Sequence, residues 1–128
     1  MNAKSGFTLI ELILVTLILG ILAGMVTVNY VGRGEDARIS RVKSDIVNLE
    51  QAIDLYAIDN NDQYPDSLEE LAGGEREYLR RGVPQDPWGN DYVYENPGSN
   101  NPNRYDLYSL GPDETAGTED DISNWDLE

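Results

Sequence analysis

Residues 113–121 read Asp-Glu-Thr-Ala-Gly-Thr-Glu-Asp-Asp, five carboxylates in nine residues with no base among them. Side chains of that type and density do one of two things: they stay solvated as an acidic tail, or they gather round a cation. Crowded carboxylates repel one another unless a cation sits between them. Calcium takes roughly six to eight oxygen ligands, which an acidic loop supplies from side chains and backbone. Gly111, Pro112 and Gly117 mark a tight turn here, and Ile122 and Trp125 offer apolar anchors on its far side. On the residues alone both readings stay open. An EF-hand is excluded. Counted from Asp113, Thr115 and Gly117 stand where that motif needs its third and fifth ligands.

The rest of the composition removes whole classes of chemistry. The 128-residue chain has no Cys and no His, which excludes a disulfide framework, a thiolate nucleophile, a Cys/His zinc site and a Ser-His-Asp triad. Nine Lys and Arg against 24 Asp and Glu leave a net charge of −15. That balance argues against nucleic acid as a partner, since such binding needs a basic face. There is no Gly-rich phosphate loop ending in Lys-Ser/Thr. Nothing places two carboxylates across an apolar cleft as glycoside hydrolysis requires. The expectation is a chain that is not an enzyme.

These acids must be positioned by a chain of two unlike parts. Eighteen of the 25 residues in 7–31 are apolar, and residues 12–32 carry no charge at all. As a helix those 21 residues span roughly 31 Å, about the hydrocarbon thickness of a bilayer. The length favours a retained anchor over a cleaved secretory signal, whose apolar stretch is shorter. Glu11 is the exception in this run. A carboxylate there costs a few kcal/mol by insertion scales, so it either sits at headgroup level or has a partner. Residues 31–128 carry the whole net charge.

Beyond the anchor, Ile39, Val42, Ile46, Leu49, Ile53 and Tyr56 recur at spacings of three and four. This stripe predicts a helix from about 8 to 58, packed on its own sheet rather than in a long coiled coil. Glycines at 20, 24, 32 and 34 are places where it could loosen. Asp66-Ser67-Leu68-Glu69 reads as an N-cap with a carboxylate three residues on, opening a short helix to about Ala72. A further turn is expected at 77–81. The alternating, aromatic-rich segments 91–95 and 104–109 predict an antiparallel hairpin across a turn-rich loop. Trp88, Tyr92, Tyr94, Tyr105, Tyr108 and Trp125 read as core and lid aromatics, with a sugar-binding platform as the sharper alternative.

Gly6-Phe7-Thr8-Leu9-Ile10-Glu11 followed by an apolar helix resembles the type IV prepilin signature. The segments Asp86-Pro87-Trp88-Gly89-Asn90, Tyr105 to Asp113 and Thr118 to Trp125 resemble the major pseudopilins of type II secretion. Together they cover nearly the whole chain. The resemblance implies an α+β, pilin-like fold: a long N-terminal helix, membrane-spanning in its first half, on a small antiparallel sheet with a C-terminal calcium-binding loop. It implies three parts: a leader at 1–6, a transmembrane and assembly segment at 7–31 and a periplasmic domain at 32–128. A prepilin peptidase would cut between Gly6 and Phe7 and methylate the new amine of Phe7. Glu11 would then meet the N-terminal amine of a neighbouring subunit, an attraction strengthened by a low-dielectric bundle. One Ca2+ would be held by the carboxylates of Asp113, Asp120 and Asp121 and by the carbonyls of Leu110 and Pro112.

The implied role is mechanical: a homopolymer, with minor pseudopilins, built by an inner-membrane assembly platform and its ATPase, that helps export folded proteins across the outer membrane. The implied location is the bacterial inner membrane, single-pass, with the body in the periplasm. The positive-inside count opposes this, since Arg33, Arg38, Arg41 and Lys43 follow the anchor and only Lys4 and the amino terminus precede it. The same basic segment could attract the acidic bodies of neighbours. Other readings of these residues are a type IV pilin, a competence or minor pseudopilin, and a membrane-anchored calcium module that never polymerises. The missing Cys and the acidic loop count against the pilin and against a competence or minor pseudopilin.

Overall fold

The computed structural model describes residues 4–127, except for the side chains of residues 26–32. Residues 1–3 of the expected leader therefore lie outside the described residues. In chain order the elements are α1 (Leu9–Asp59), a 3₁₀ turn η1 (Leu68–Leu71), strands β1 (Val93–Glu95), β2 (Asp106–Ser109) and β3 (Ile122–Ser123), and a second 3₁₀ turn η2 (Asn124–Asp126). The chain divides into two compact units, Met1–Ala37 and Arg38–Glu128.

In the first unit, the apolar side chains from Phe7 to Met25 are exposed. Gly20 and Gly24 do not interrupt the helix, nor do Gly32 and Gly34. Among the described residues no helix is long and apolar enough to cross a membrane. The expected span at 7–31 includes residues 26–31, whose side chains lie outside that description. Thr8 and Glu11 form a reciprocal cap. The Glu11 backbone N–H donates to Thr8 Oγ1 at 3.3 Å, and the Thr8 N–H donates to Glu11 Oε2 at 2.8 Å. The sequence Thr-x-x-Glu thus starts the helix by satisfying two amides that have no intrahelical partner.

In the second unit the helical stripe becomes the core. Val42, Ile46, Leu49 and Ile53 are fully buried, joined by Ala52, and pack with Leu68, Leu71, Tyr92, Tyr105 and Leu107. Burying each large aliphatic contributes roughly 1.5–3 kcal/mol. The helix ends where Asn61 and Asp62 take left-handed backbone angles, which short polar residues tolerate. There the Asp62 N–H turns back to the Ala57 carbonyl at 2.8 Å.

The expected cap at 66–69 is corrected in detail. Ser67, not Asp66, holds the N-cap position and makes no side-chain cap, and the helix is a single 3₁₀ turn. The carboxylate that reaches back is Glu70, whose Oε1 accepts from the Asp66 N–H while Oε2 accepts from Tyr56 Oη. Residues 77–81 form no helix. The N–H groups of Tyr78 and Leu79 are both drawn to the Leu71 carbonyl, at 2.9 and 3.0 Å.

The sheet order is β1-β2-β3, antiparallel throughout. Tyr94 faces Leu107, and Tyr108 faces Ser123. Continuing the second register puts Asn124 opposite Leu107, at the point where the backbone leaves the strand for η2. The Asn124 side chain takes over the missing rung: Oδ1 accepts from the Leu107 N–H at 3.1 Å, and Nδ2 donates to the Tyr105 carbonyl and to Glu50 Oε1 of α1. Tyr92 and Tyr105 are core, while Tyr108 and Trp125 stack edge to face with ring centroids 5.6 Å apart.

Candidate functional site

The acidic loop leaves the sheet at Ser109 and returns to it at Ile122, so both arms are anchored to neighbouring strands. Its first bend is at Gly111, which has φ +69°. A side chain there would collide with the backbone oxygen of Asp120, so only glycine lets the two arms approach this closely. The turn continues through Glu114, whose N–H donates to the Gly111 carbonyl at 3.3 Å.

The arms bring three aspartates together. Asp113, Asp120 and Asp121 each offer a carboxylate oxygen, all within 4.8 Å of one another. Like charges at that spacing repel, and the loop partly offsets this with its own N–H and O–H groups. Asp120 Oδ2 accepts from the Asp113 N–H at 3.0 Å, and Asp120 Oδ1 accepts from Thr118 Oγ1 at 2.6 Å. Asp113 Oδ1 accepts from the Thr115 N–H, and Asp121 Oδ2 from the Gly117 N–H. The Thr118 hydroxyl first, and the Asp113 amide second, hold the Asp120 carboxyl below its ordinary pKa.

The donor set is all oxygen, without nitrogen or sulfur ligands, and it is anionic. That chemistry fits a hard cation such as calcium. Leu110 and Pro112 lie on the entering arm, next to Asp113 in the chain. Glu114 and Glu119 are exposed and stand outside the aspartate group.

Thr118 and Gly111 were not singled out as site residues by spacing alone. The glycine carried a signal, since Gly-Pro opens a tight turn. Thr118 carried none, because its hydroxyl meets Asp120 only once the loop is closed. At the other end of the chain, Glu11 lies on the first turn of α1 with its carboxylate on its own Thr8 amide. Gly6 and Phe7 precede the helix in extended or irregular backbone, and Phe7 is 87% exposed.

The protein-family model described as type II secretion system (T2SS), protein G matches residues 29–125. The model of the prokaryotic N-terminal methylation motif matches residues 1–27. The type II secretion system core protein G of Pectobacterium carotovorum subsp. carotovorum is 44% identical over 142 residues, covering 98% of this chain and 86% of that protein. The core protein G of Escherichia coli K12 is 45% identical over 139 residues, with 98% and 94% covered. That of Vibrio cholerae serotype O1 is 40% identical over 147 residues, with 100% and 96% covered. The crystal structure of the major pseudopilin from the type 2 secretion system of enterohaemorrhagic E. coli matches with a TM-score of 0.62 and 38% identity. It covers 76% of this chain and 90% of that one.

Proposed function

The chain belongs to the type II secretion system protein G family, and from that premise we propose a calcium-clipped, membrane-anchored subunit that polymerises through its N-terminal helix. Its role is that of the major pseudopilin in type II secretion, a structural part and not a catalyst. The family match over residues 29–125 favours this reading over a type IV pilin or a minor pseudopilin, which share the N-terminal signature.

The observation that carries the calcium reading is the meeting of Asp113, Asp120 and Asp121 within 4.8 Å on two arms of one loop. These three carboxylates, with the carbonyls of Leu110 and Pro112, would hold the ion. Bound calcium would supply positive charge that offsets most of the repulsion within the cluster and would tie the loop to the sheet. In a chain without Cys it does what a disulfide would do elsewhere. The protein's own contribution is preorganisation. Gly111 lets the arms meet, Thr118 orients Asp120, and the strand pairing of Ile122 fixes the exit.

At the other end, processing between Gly6 and Phe7 and methylation of the Phe7 amine are supported by the methylation motif over residues 1–27. The freed amine of one copy would pair with Glu11 of the next, so that Glu11 exchanges its contact with Thr8 for an intermolecular one. Single-pass anchoring in the inner membrane, with the body in the periplasm, follows the same motif. Minor pseudopilins, the prepilin peptidase and an assembly platform with its ATPase are the partners this reading requires.

The test is filament formation by the full chain in a secretion-competent bacterium lacking its own major pseudopilin. The wild-type chain forms pseudopili and restores export. Glu11→Ala accumulates in the membrane, correctly processed, without filaments. Normal filaments from Glu11→Ala would overturn the assembly role.

A further inference from the structure

We propose that the buried pair Asp86 and Ser109 is a positioning device for the acidic loop, setting its calcium affinity without touching the ion. This rests on the calcium reading above.

Asp86 is 3% exposed and Ser109 is 0% exposed, so neither is a surface contact. The Asp86 carboxylate is divided between two tasks. Oδ1 accepts from the Trp88 N–H at 3.1 Å and the Asn90 N–H at 2.8 Å, which closes the turn 86–90. The Asp86 N–H donates to the Asn90 carbonyl at 2.9 Å, and the Gly89 N–H donates to the Asp86 carbonyl at 3.0 Å, so the carboxylate is held on a stiff base. Oδ2 is left for Ser109, whose Oγ donates to it at 2.8 Å.

That bond commits the only proton of the Ser109 hydroxyl. Its lone pairs then serve as an acceptor, and the Gly111 N–H donates to Oγ at 3.2 Å. Gly111 is the residue whose missing side chain allows Asp120 to approach. Two residues later comes Asp113, whose own N–H donates to Asp120 Oδ2. A continuous path therefore runs from a rigid turn in the body, through a buried hydroxyl, to the bend where both ligand-bearing arms meet. Groups that orient metal ligands from behind in this way typically change affinity by about 10–100-fold when removed.

A purely structural role for the pair predicts something different. Losing it would lower the melting point of the metal-free protein and leave the affinity for calcium alone. Ser109→Ala separates the two, because Oδ1 of Asp86 still closes its turn while the link to Gly111 is cut. Asp86→Asn provides a second variant, since an amide oxygen can still cap the turn but its NH₂ cannot accept the serine proton. Tyr56→Phe, which loses only the bond to Glu70 on η1, serves as the control.

The experiment is calorimetric titration of calcium chloride into the full chain in detergent, below the melting temperature of every variant, with folding checked by circular dichroism. The wild-type and Tyr56→Phe proteins bind with the same affinity. Ser109→Ala binds about 10–100-fold more weakly, and Asp86→Asn is weakened in the same direction. Wild-type affinity in both variants would overturn the positioning role and leave the calcium reading intact. No heat of binding in the wild-type protein would overturn both.

Discussion

Replacing Asn124 by alanine is the most informative single change outside the aspartates. Asn124 is 6% exposed, and its side-chain oxygen is the partner of the Leu107 N–H in the middle of the sheet. Its amide nitrogen reaches the Tyr105 carbonyl at 3.4 Å and Glu50 on α1 at 3.3 Å. Alanine leaves the Leu107 amide buried with no acceptor, at a cost of roughly 1–3 kcal/mol, and removes two longer bonds worth less. A total of about 2–3 kcal/mol is a large share of a small domain's stability. For the 91 residues of the second unit, an unfolding entropy of about 2.1 cal/mol/K per residue converts this to a fall of about 10–15 °C in melting temperature. Circular dichroism melts of the full chain in detergent measure it. Asn124→Asp keeps the acceptor for Leu107 but sets a carboxylate against Glu50, so it is also destabilised at neutral pH and recovers in part as the pH is lowered. A shift of only a degree or two for Asn124→Ala would refute the reasoning, since the side chain would then not be acting as the missing rung.

Two further outcomes follow from the tyrosines. Tyr92, Tyr94 and Tyr105 are all held above the ordinary phenol pKa of 10.0, in each case mainly by burial and then by nearby carboxylates or a hydrogen bond to one. A folded pKa raised above the unfolded one means that stability is fully present below pH 10 and falls as the pH rises past it, because the unfolded chain ionises first. Chemical denaturation across alkaline pH checks this, with phenolate absorbance from these residues appearing only on unfolding. Among the described residues Tyr105 Oη is buried without a hydrogen-bond partner, so Tyr105→Phe removes a polar group that gains nothing from folding. The variant melts at or above the wild-type temperature, and a loss of more than about 1 kcal/mol would show that the hydroxyl is satisfied in solution.

The helix was legible because its stripe has one period. Val42, Ile46, Leu49 and Ile53 are spaced for one face, and that face is the buried one. The two longer strands were legible from alternation, though β1 starts at Val93, with Asp91 only in an isolated bridge to Gln85, and β2 starts at Asp106 rather than at Arg104. The reason is local. The Asp106 carboxylate is occupied by the N–H groups of Asn100 and Asn101, which curls the chain just before the strand. Strand β3 was not legible, since two residues show no period and its pairing is completed by the Asn124 side chain. In the site, the five acids of residues 113–121 stood out by density, and the resemblance to the major pseudopilins singled out Asp113, Asp120 and Asp121 among them. The supports did not: Ser109 and Asp86 are 23 residues apart, and only the fold brings a serine hydroxyl to that carboxylate. Glu11 was legible as an anomaly in an apolar run, but its local partner Thr8 was hidden behind the intermolecular role.

The central claim is that calcium clips the acidic loop to the body of a pseudopilin subunit. Thermal melts of the full chain in detergent with calcium, with magnesium and with chelator test it most directly. Free ligand at about 100 times its dissociation constant adds roughly 2.7 kcal/mol. For a unit of 91 residues that is a rise of more than about 10 °C. The account predicts this rise with calcium alone, and its loss in Asp120→Asn. Identical melts under all three conditions would contradict it and return residues 113–121 to a solvated acidic turn.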